Sequence, residues 1–250
     1  MSKILELTSV TAAYDDLEVL HDVNLAVHDH DFIGIIGPNG GGKTTLLKII
    51  LGQLHPVTGT VTYFFDERGN TGDRIGYLPQ GQHFDRKFPI TVLEVVLSGL
   101  LSKRRVFGRF TAADHRKARE WLEWIGMGAL SDRNIGDLSG GQIQRVFLCR
   151  SVIADPALLL LDEPDTYVDN TFEGDLYRTL TELNKRMAII MVSHDIGTIA
   201  SYIKTIACVN RTLHYHPSNL ITNEQLAAYN CPIQIISHGT IPHTVLQKHD

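Results

Sequence analysis

The alternation of apolar and polar positions gives the first outline of this chain. Ile4–Val10 and Val19–Val27 alternate with period two around the turn residues Asp15-Asp16, which predicts two strands of a small antiparallel sheet. Phe32–Ile36 is a continuous apolar run that enters a glycine-rich turn. The helical spacing of Thr44–Leu51 follows, closed by Gly52 at the C-cap position. Gly59–Phe65 and Ile75–Leu78 read as strands, with the polar Asp66–Asp73 between them as a loop. The character then changes, because Val92–Leu100 and Thr111–Ile125 have helical spacing and Thr111 with Asp114 forms a capping-box start. Strand and helix alternate again through Ala157–Leu161, Thr171–Leu183, Ala188–Val192, Ile196–Tyr202 and Thr205–Val209. That βα alternation predicts an α/β fold with a mixed, mainly parallel sheet. A last helix is expected past residue 217, where Thr222 and Gln225 make another capping box. The stretch from Cys231 is too short and mixed to assign.

Composition narrows the class. A length of 250 residues with 43% hydrophobic content suits one large domain with a subdomain, and a net charge of −5 argues against a nucleic-acid partner. The densest basic cluster, Lys103, Arg104, Arg105 and Arg109, is short enough to be a solvated face. Cys149, Cys208 and Cys231 have neither paired nor C-x-x-C spacing, which fits a reducing compartment. The N-terminus has no apolar core of a secretory signal, and no apolar run approaches the roughly 20 residues that span a bilayer.

The strongest chemical signal is Gly37-Pro38-Asn39-Gly40-Gly41-Gly42-Lys43-Thr44, followed by Thr45, between a predicted strand and a predicted helix. Glycines let backbone N–H groups turn inward around phosphates. Lys43 reaches the β and γ oxygens, Thr44 offers an oxygen to Mg²⁺, and the helix N-terminus favours the anion. Downstream, the apolar run Leu158–Leu161 ends in Asp162-Glu163. There Asp162 suits Mg²⁺ and Glu163 suits the polarisation of an attacking water, in a reaction that is mostly positioning and charge stabilisation.

Between these motifs lies Leu138-Ser139-Gly140-Gly141-Gln142, at the start of a predicted helix running through Ala154. Ser139 is an N-cap whose neighbouring N–H groups would meet a phosphate. With this pentapeptide the chain resembles the ABC ATPase family, whose signature motif it matches at all five positions. The resemblance runs from about residue 3 to about residue 230. It implies a P-loop NTPase core (residues 1–80 and 152–220) carrying the small antiparallel β subdomain, an inserted helical subdomain (81–151) and a tail (231–250). It also implies ATP and Mg²⁺ as cofactors and a homodimer in which Ser139 and Gly141 cap the ATP of the opposite subunit. Tyr14 would stack on adenine, Gln80 would serve the Mg²⁺ or the water, His194 would contact the γ-phosphate, and Asp169 would communicate across the dimer.

Ile75–Gln80, Asp85 and Phe88–Val96 look most similar to the subfamily that powers zinc, manganese and iron importers, as do Asn210-Arg211, Pro217 and Asn223–Tyr229. Asp165-Thr166-Tyr167-Val168 departs from the smaller residues usual there. The resemblance implies an ATP-hydrolysing import subunit, peripheral on the cytoplasmic face of the inner membrane, docked on a permease and served indirectly by a metal-binding capture protein. Other transporter classes, a soluble non-transport ATPase and a catalytically dead binding module are the alternatives. The presence together of Lys43, Asp162, Glu163 and His194 disfavours the last. His214 and His216 share a strand face, with Cys208, Cys231, His238, His243 and His249 nearby in sequence. They lack structural-zinc spacing, so solvated histidines are the expectation.

Overall fold

In the computed structural model, three apolar runs become strands because they are buried at every position: β3 (Phe32–Ile36), β6 (Leu158–Asp162) and β7 (Ala188–Val192). Burial on both faces is what a parallel sheet covered by helices requires. The structure describes residues 2–65, 74–81, 85–101, 109–164, 170–194, 196–219, 233–237 and 242–246. It divides into two compact units, Met1–Phe64 with Ala188–Asp250, and Phe65–Met187.

In the first unit, β1 (Lys3–Tyr14) and β2 (Leu17–His28) form an antiparallel pair, with β4 (Thr58–Tyr63) on the other side of β1. Both long strands extend beyond the predicted stretches. Their register shifts at bulges, where Ser9 and Asp22 have positive φ. Polar side chains fill the hydrogen bonds those bulges open: Ser9 N–H donates to Asn24 Oδ1 at 2.8 Å, and Asp22 N–H to Thr11 Oγ1 at 3.2 Å. The second sheet of this unit centres on β3. That strand runs parallel to β7 and to β8 (Thr205–Asn210), and β9 (Thr212–His216) returns antiparallel to β8. Helix α1 (Lys43–Ile50) leaves the end of β3, and Tyr63 Oη donates to Ile50 O at 2.9 Å, tying the antiparallel sheet to it.

In the second unit, β5 (Ile75–Leu78) pairs in parallel with β6. Helices α2 (Val92–Ser98), α3 (Ala112–Trp124) and α4 (Gly140–Val152) pack on one another, and α5 (Asn170–Asn184) follows β6. Short 3₁₀ turns at Gly128–Leu130 and Ile135–Asp137 join α3 to α4. All three packed helices begin with complete capping boxes, at Thr91/Glu94, Thr111/Asp114 and Ser139/Gln142. The apolar stripe of α4 includes Val146, Leu148 and Cys149, and burial pushes the Cys149 thiol up to about 12, so it behaves as a small core hydrophobe.

Three expectations change. Helix α6 (Ile196–Ile199) ends three residues before Tyr202, because Ile199 O accepts from both Tyr202 N–H and Ile203 N–H and turns the chain into β8. The segment left unassigned after Cys231 contains an antiparallel pair, β10 (Ile233–Ser237) and β11 (Pro242–Leu246); each strand is too short for its period to be read alone. His216 is buried rather than solvated. Burial, reinforced by His214, holds its imidazole below the ordinary histidine range. Among the described residues no cluster of three or more His, Cys, Asp or Glu side chains could hold a metal ion. The predicted loop 66–73, the helix at Thr222–Gln225, Asp169 with the stretch around Tyr167, Cys231, His238 and His249 lie outside the described residues. Among the described residues no helix is long and apolar enough to cross a membrane.

Candidate functional site: a phosphate loop and an acidic strand end

The phosphate loop is shaped by close backbone approach. Gly37 has φ 150°, and a Cβ there would stand 2.0 Å from the carbonyl oxygen of Val209 at the end of β8. Only glycine permits that contact. The turn is closed by Gly41 N–H donating to Pro38 O at 3.1 Å, and is held from outside by Arg211 N–H donating to Gly41 O at 3.0 Å. Gly42, at φ 103°, caps α1 without a side-chain hydrogen bond, so the first amides of the helix face the loop mouth.

Lys43 is buried, and its Nζ donates to Gly37 O at 2.8 Å and Pro38 O at 3.0 Å. The ammonium is therefore held inside the curve of the loop, where a phosphate would sit. Thr45 is buried beneath it, whereas Thr44, Asn39 and Gly40 are exposed, as residues that meet a ligand must be. Tyr14, at the end of β1, stands beside this assembly. Its ring is 5.6 Å from Lys48 Nζ of α1, and the same Nζ lies 3.4 Å from its hydroxyl.

Sheet register brings His194 to the same end of the first unit. β7 runs beside β3 with Val192 opposite Ile35, and Ser193 N–H donates to Ile35 O at 3.2 Å. Continuing that register, the exposed His194 leaves its strand level with Gly37.

In the second unit the acidic pair is set by β6. Asp162 closes the strand and is buried; burial of Tyr77, reinforced by the Asp162 charge, pushes the Tyr77 phenol up. Glu163 follows with φ 48°, a left-handed conformation that costs a non-glycine residue of order 1–3 kcal/mol and that clusters at working sites. The side-chain amide of Gln80 donates to Glu163 Oε2, joining the segment after β5 to the segment after β6. Within this unit the buried carboxylate of Asp162 and the side-chain amide oxygen of Gln80 are hard oxygen donors of the kind Mg²⁺ takes; in the first unit the exposed Thr44 offers a hydroxyl of the same kind.

The signature pentapeptide caps α4 as expected. Ser139 N–H donates to Gln142 Oε1 at 3.0 Å, and Gln142 N–H donates to Ser139 Oγ at 3.4 Å. Leu138 is buried and anchors the turn, while Ser139 and Gly140 are exposed beside Gly141. Three contributors were absent from the sequence reading: the Val209 carbonyl, the Arg211 amide and Lys48. The first two act through backbone atoms, which no residue type signals. Lys48 could have been found from its place one turn along the helix that follows Thr44.

Comparison with known proteins agrees with this geometry. The family model described as ABC transporter matches residues 20–166. A "Probable metal transport system ATP-binding protein" of Thermotoga maritima is 39% identical over 241 residues, 95% of each chain. The "High-affinity zinc uptake system ATP-binding protein ZnuC" of Bacillus subtilis is 37% identical over 213 residues, 83% of this chain and 91% of that one. Among solved structures, the dimeric bacterial ABC transporter cassette MJ0796 superposes with a TM-score of 0.71 at 26% identity, covering 88% of this chain and 100% of that chain. The ADP conformation of the cassette MJ1267 gives 0.74 at 25% identity, covering 86% and 90%.

Proposed function

Because the chain belongs to the ABC transporter family, we propose that it is the ATP-binding and ATP-hydrolysing subunit of a metal-ion import system of the zinc, manganese and iron class. The reaction is ATP and water to ADP and phosphate, coupled to movement of a permease. The observation that carries the hydrolytic reading is the Gln80–Glu163 hydrogen bond, which holds a carboxylate directly after the buried Asp162. The names of the Thermotoga and Bacillus relatives support metal import.

In this reading the loop amides of Gly37–Thr45 and Lys43 bind the phosphates, and Tyr14 stacks on adenine. Thr44, Asp162 and Gln80 would hold Mg²⁺, which when bound neutralises charge developing on the phosphates. Glu163 takes a proton from the attacking water, Gln80 orients that carboxylate, and His194 donates to the γ-phosphate. Ser139 and Gly141, on the capped end of α4, close over ATP held by a second copy of the chain, and Asp169 lies on the dimer seam. The complex works at the cytoplasmic face of a membrane, and the metal passes through the permease without touching this subunit.

The test is Glu163→Gln in the full chain. It keeps ATP affinity, abolishes turnover and traps an ATP-bound dimer in size-exclusion chromatography. Turnover at the parental rate removes Glu163 as the base. For the import assignment, the tagged subunit co-purifies with a multi-span permease, and cells carrying Lys43→Ala lose ATP-dependent zinc or manganese uptake. Uptake unchanged in those cells overturns it.

A further inference from the structure

Three residues beyond the signature pentapeptide, Arg145 reaches from α4 in two directions. Its Nη2 donates to Asp175 Oδ2 on α5 at 3.1 Å, and its Nη1 donates to Ile125 O, the C-cap carbonyl of α3, at 3.4 Å. Asp175 also accepts from the exposed Arg178 through its other carboxylate oxygen, and its backbone carbonyl accepts from Thr179 Oγ1 at 2.8 Å. One guanidinium therefore joins three helices. The groove around it is walled by Trp124, Leu148 and Leu176.

Two other polar contacts from α4 to its neighbours lie farther from its capped end: Cys149 Sγ donates to Trp121 O at 3.5 Å and Arg150 Nε donates to Ser98 Oγ at 2.9 Å. Val146, Leu148 and Cys149 give α4 an apolar seat, and apolar burial is non-directional, so it resists sliding or rotation of the helix only weakly. Near the capped end, the planar guanidinium of Arg145 with two fixed acceptors supplies direction. The half-exposed pair adds little to stability, as ion pairs of this exposure do. Its consequence is angular. It sets where Ser139 and Gly141 point, and it refers that direction to α5, the helix that follows the segment containing Asp169.

We infer that Arg145, anchored by Asp175, is a positioning residue that aims the phosphate-capping end of α4 at the partner's nucleotide. The inference rests on the proposed dimeric ATPase. Lys43 and Tyr14 lie outside this brace, so a subunit binding ATP alone is indifferent to it, while dimer closure and turnover depend on it.

The experiment compares Arg145→Ala, Asp175→Asn, the double variant and Asp175→Glu. Each is measured for ATP affinity of the monomer, turnover, and ATP-dependent dimerisation in a Glu163→Gln background. Both single variants keep monomer affinity and lose turnover and dimerisation by about 10- to 100-fold, the scale expected of a misplaced contact group. The double variant is no worse than either single one, and Asp175→Glu recovers most of the loss. Additive losses, a matching fall in monomer affinity, or unchanged turnover in the single variants each overturn the inference. If Glu163→Gln alone traps no dimer, the proposed function fails on its own, and the turnover and affinity comparison still decides the role of Arg145.

Discussion

The side-chain amide of Gln80 donates to the carboxylate of Glu163 across 83 residues of sequence, and Glu163 holds a left-handed backbone to receive it. The contact joins the ends of two parallel strands, β5 and β6, so it depends on their pairing, Leu78 opposite Leu161, rather than on either segment alone.

Replacing Gln80 tests that link. Gln80→Ala removes the donor and lowers turnover by about tenfold, with ATP affinity nearly kept, because a positioned carboxylate becomes a loosely held one. Gln80→Glu is worse at neutral pH. Two carboxylates within hydrogen-bond distance resist being ionised together, so the acid limb of the pH–rate profile moves to higher pH. Identical profiles for the two variants would show that the Gln80 contact does not govern the carboxylate.

Lys43→Ala removes an ammonium that two loop carbonyls hold in place. Charge-assisted hydrogen bonds are worth about 1.5–3 kcal/mol each, which corresponds to a loss of ATP affinity of roughly 10- to 100-fold. Isothermal calorimetry with the purified subunit reads this directly. An unchanged dissociation constant places the phosphates elsewhere.

Gly37→Ala acts on the backbone of the same loop. The new Cβ meets Val209 O and the residue is held at φ 150°, so strain and overpacking together cost ~2–4 kcal/mol. The loop yields instead of β8, and nucleotide binding disappears along with part of the thermal stability. Wild-type melting and binding in Gly37→Ala would mean that the Val209 approach is not a constraint.

His216 gives the fold a pH dependence whose sign follows from its burial. Its pKa in the folded protein lies below the ordinary 6.5, so the unfolded chain accepts a proton that the folded chain refuses. Stability is fully present above pH 6.5 and declines as the pH falls from there toward the folded value. His216→Phe flattens that part of the denaturation profile between pH 7 and 5, measured by urea titration. An equal slope in the variant assigns the dependence to other groups.

Much of this protein is written locally. The apolar runs of β3, of β7 and of β6 up to Asp162 announce buried parallel strands because burial on both faces disfavours polar positions, and Thr111 and Ser139 announce helix starts because a cap satisfies amides a few residues away. The glycine loop belongs to the same class: its backbone freedom, its lysine and its following helix are contiguous. The tertiary structure decided what no window of sequence contains. It set Val209 O against Gly37, led Gln80 to Glu163, braced Arg145 between Asp175 and Ile125, buried His216, and paired two tail strands too short to show a period. The physical reason is the same in each case. Residue type and spacing fix which groups a segment presents and its local backbone shape, but the partner of a side chain or carbonyl is chosen by strand register and helix packing, which belong to the whole chain.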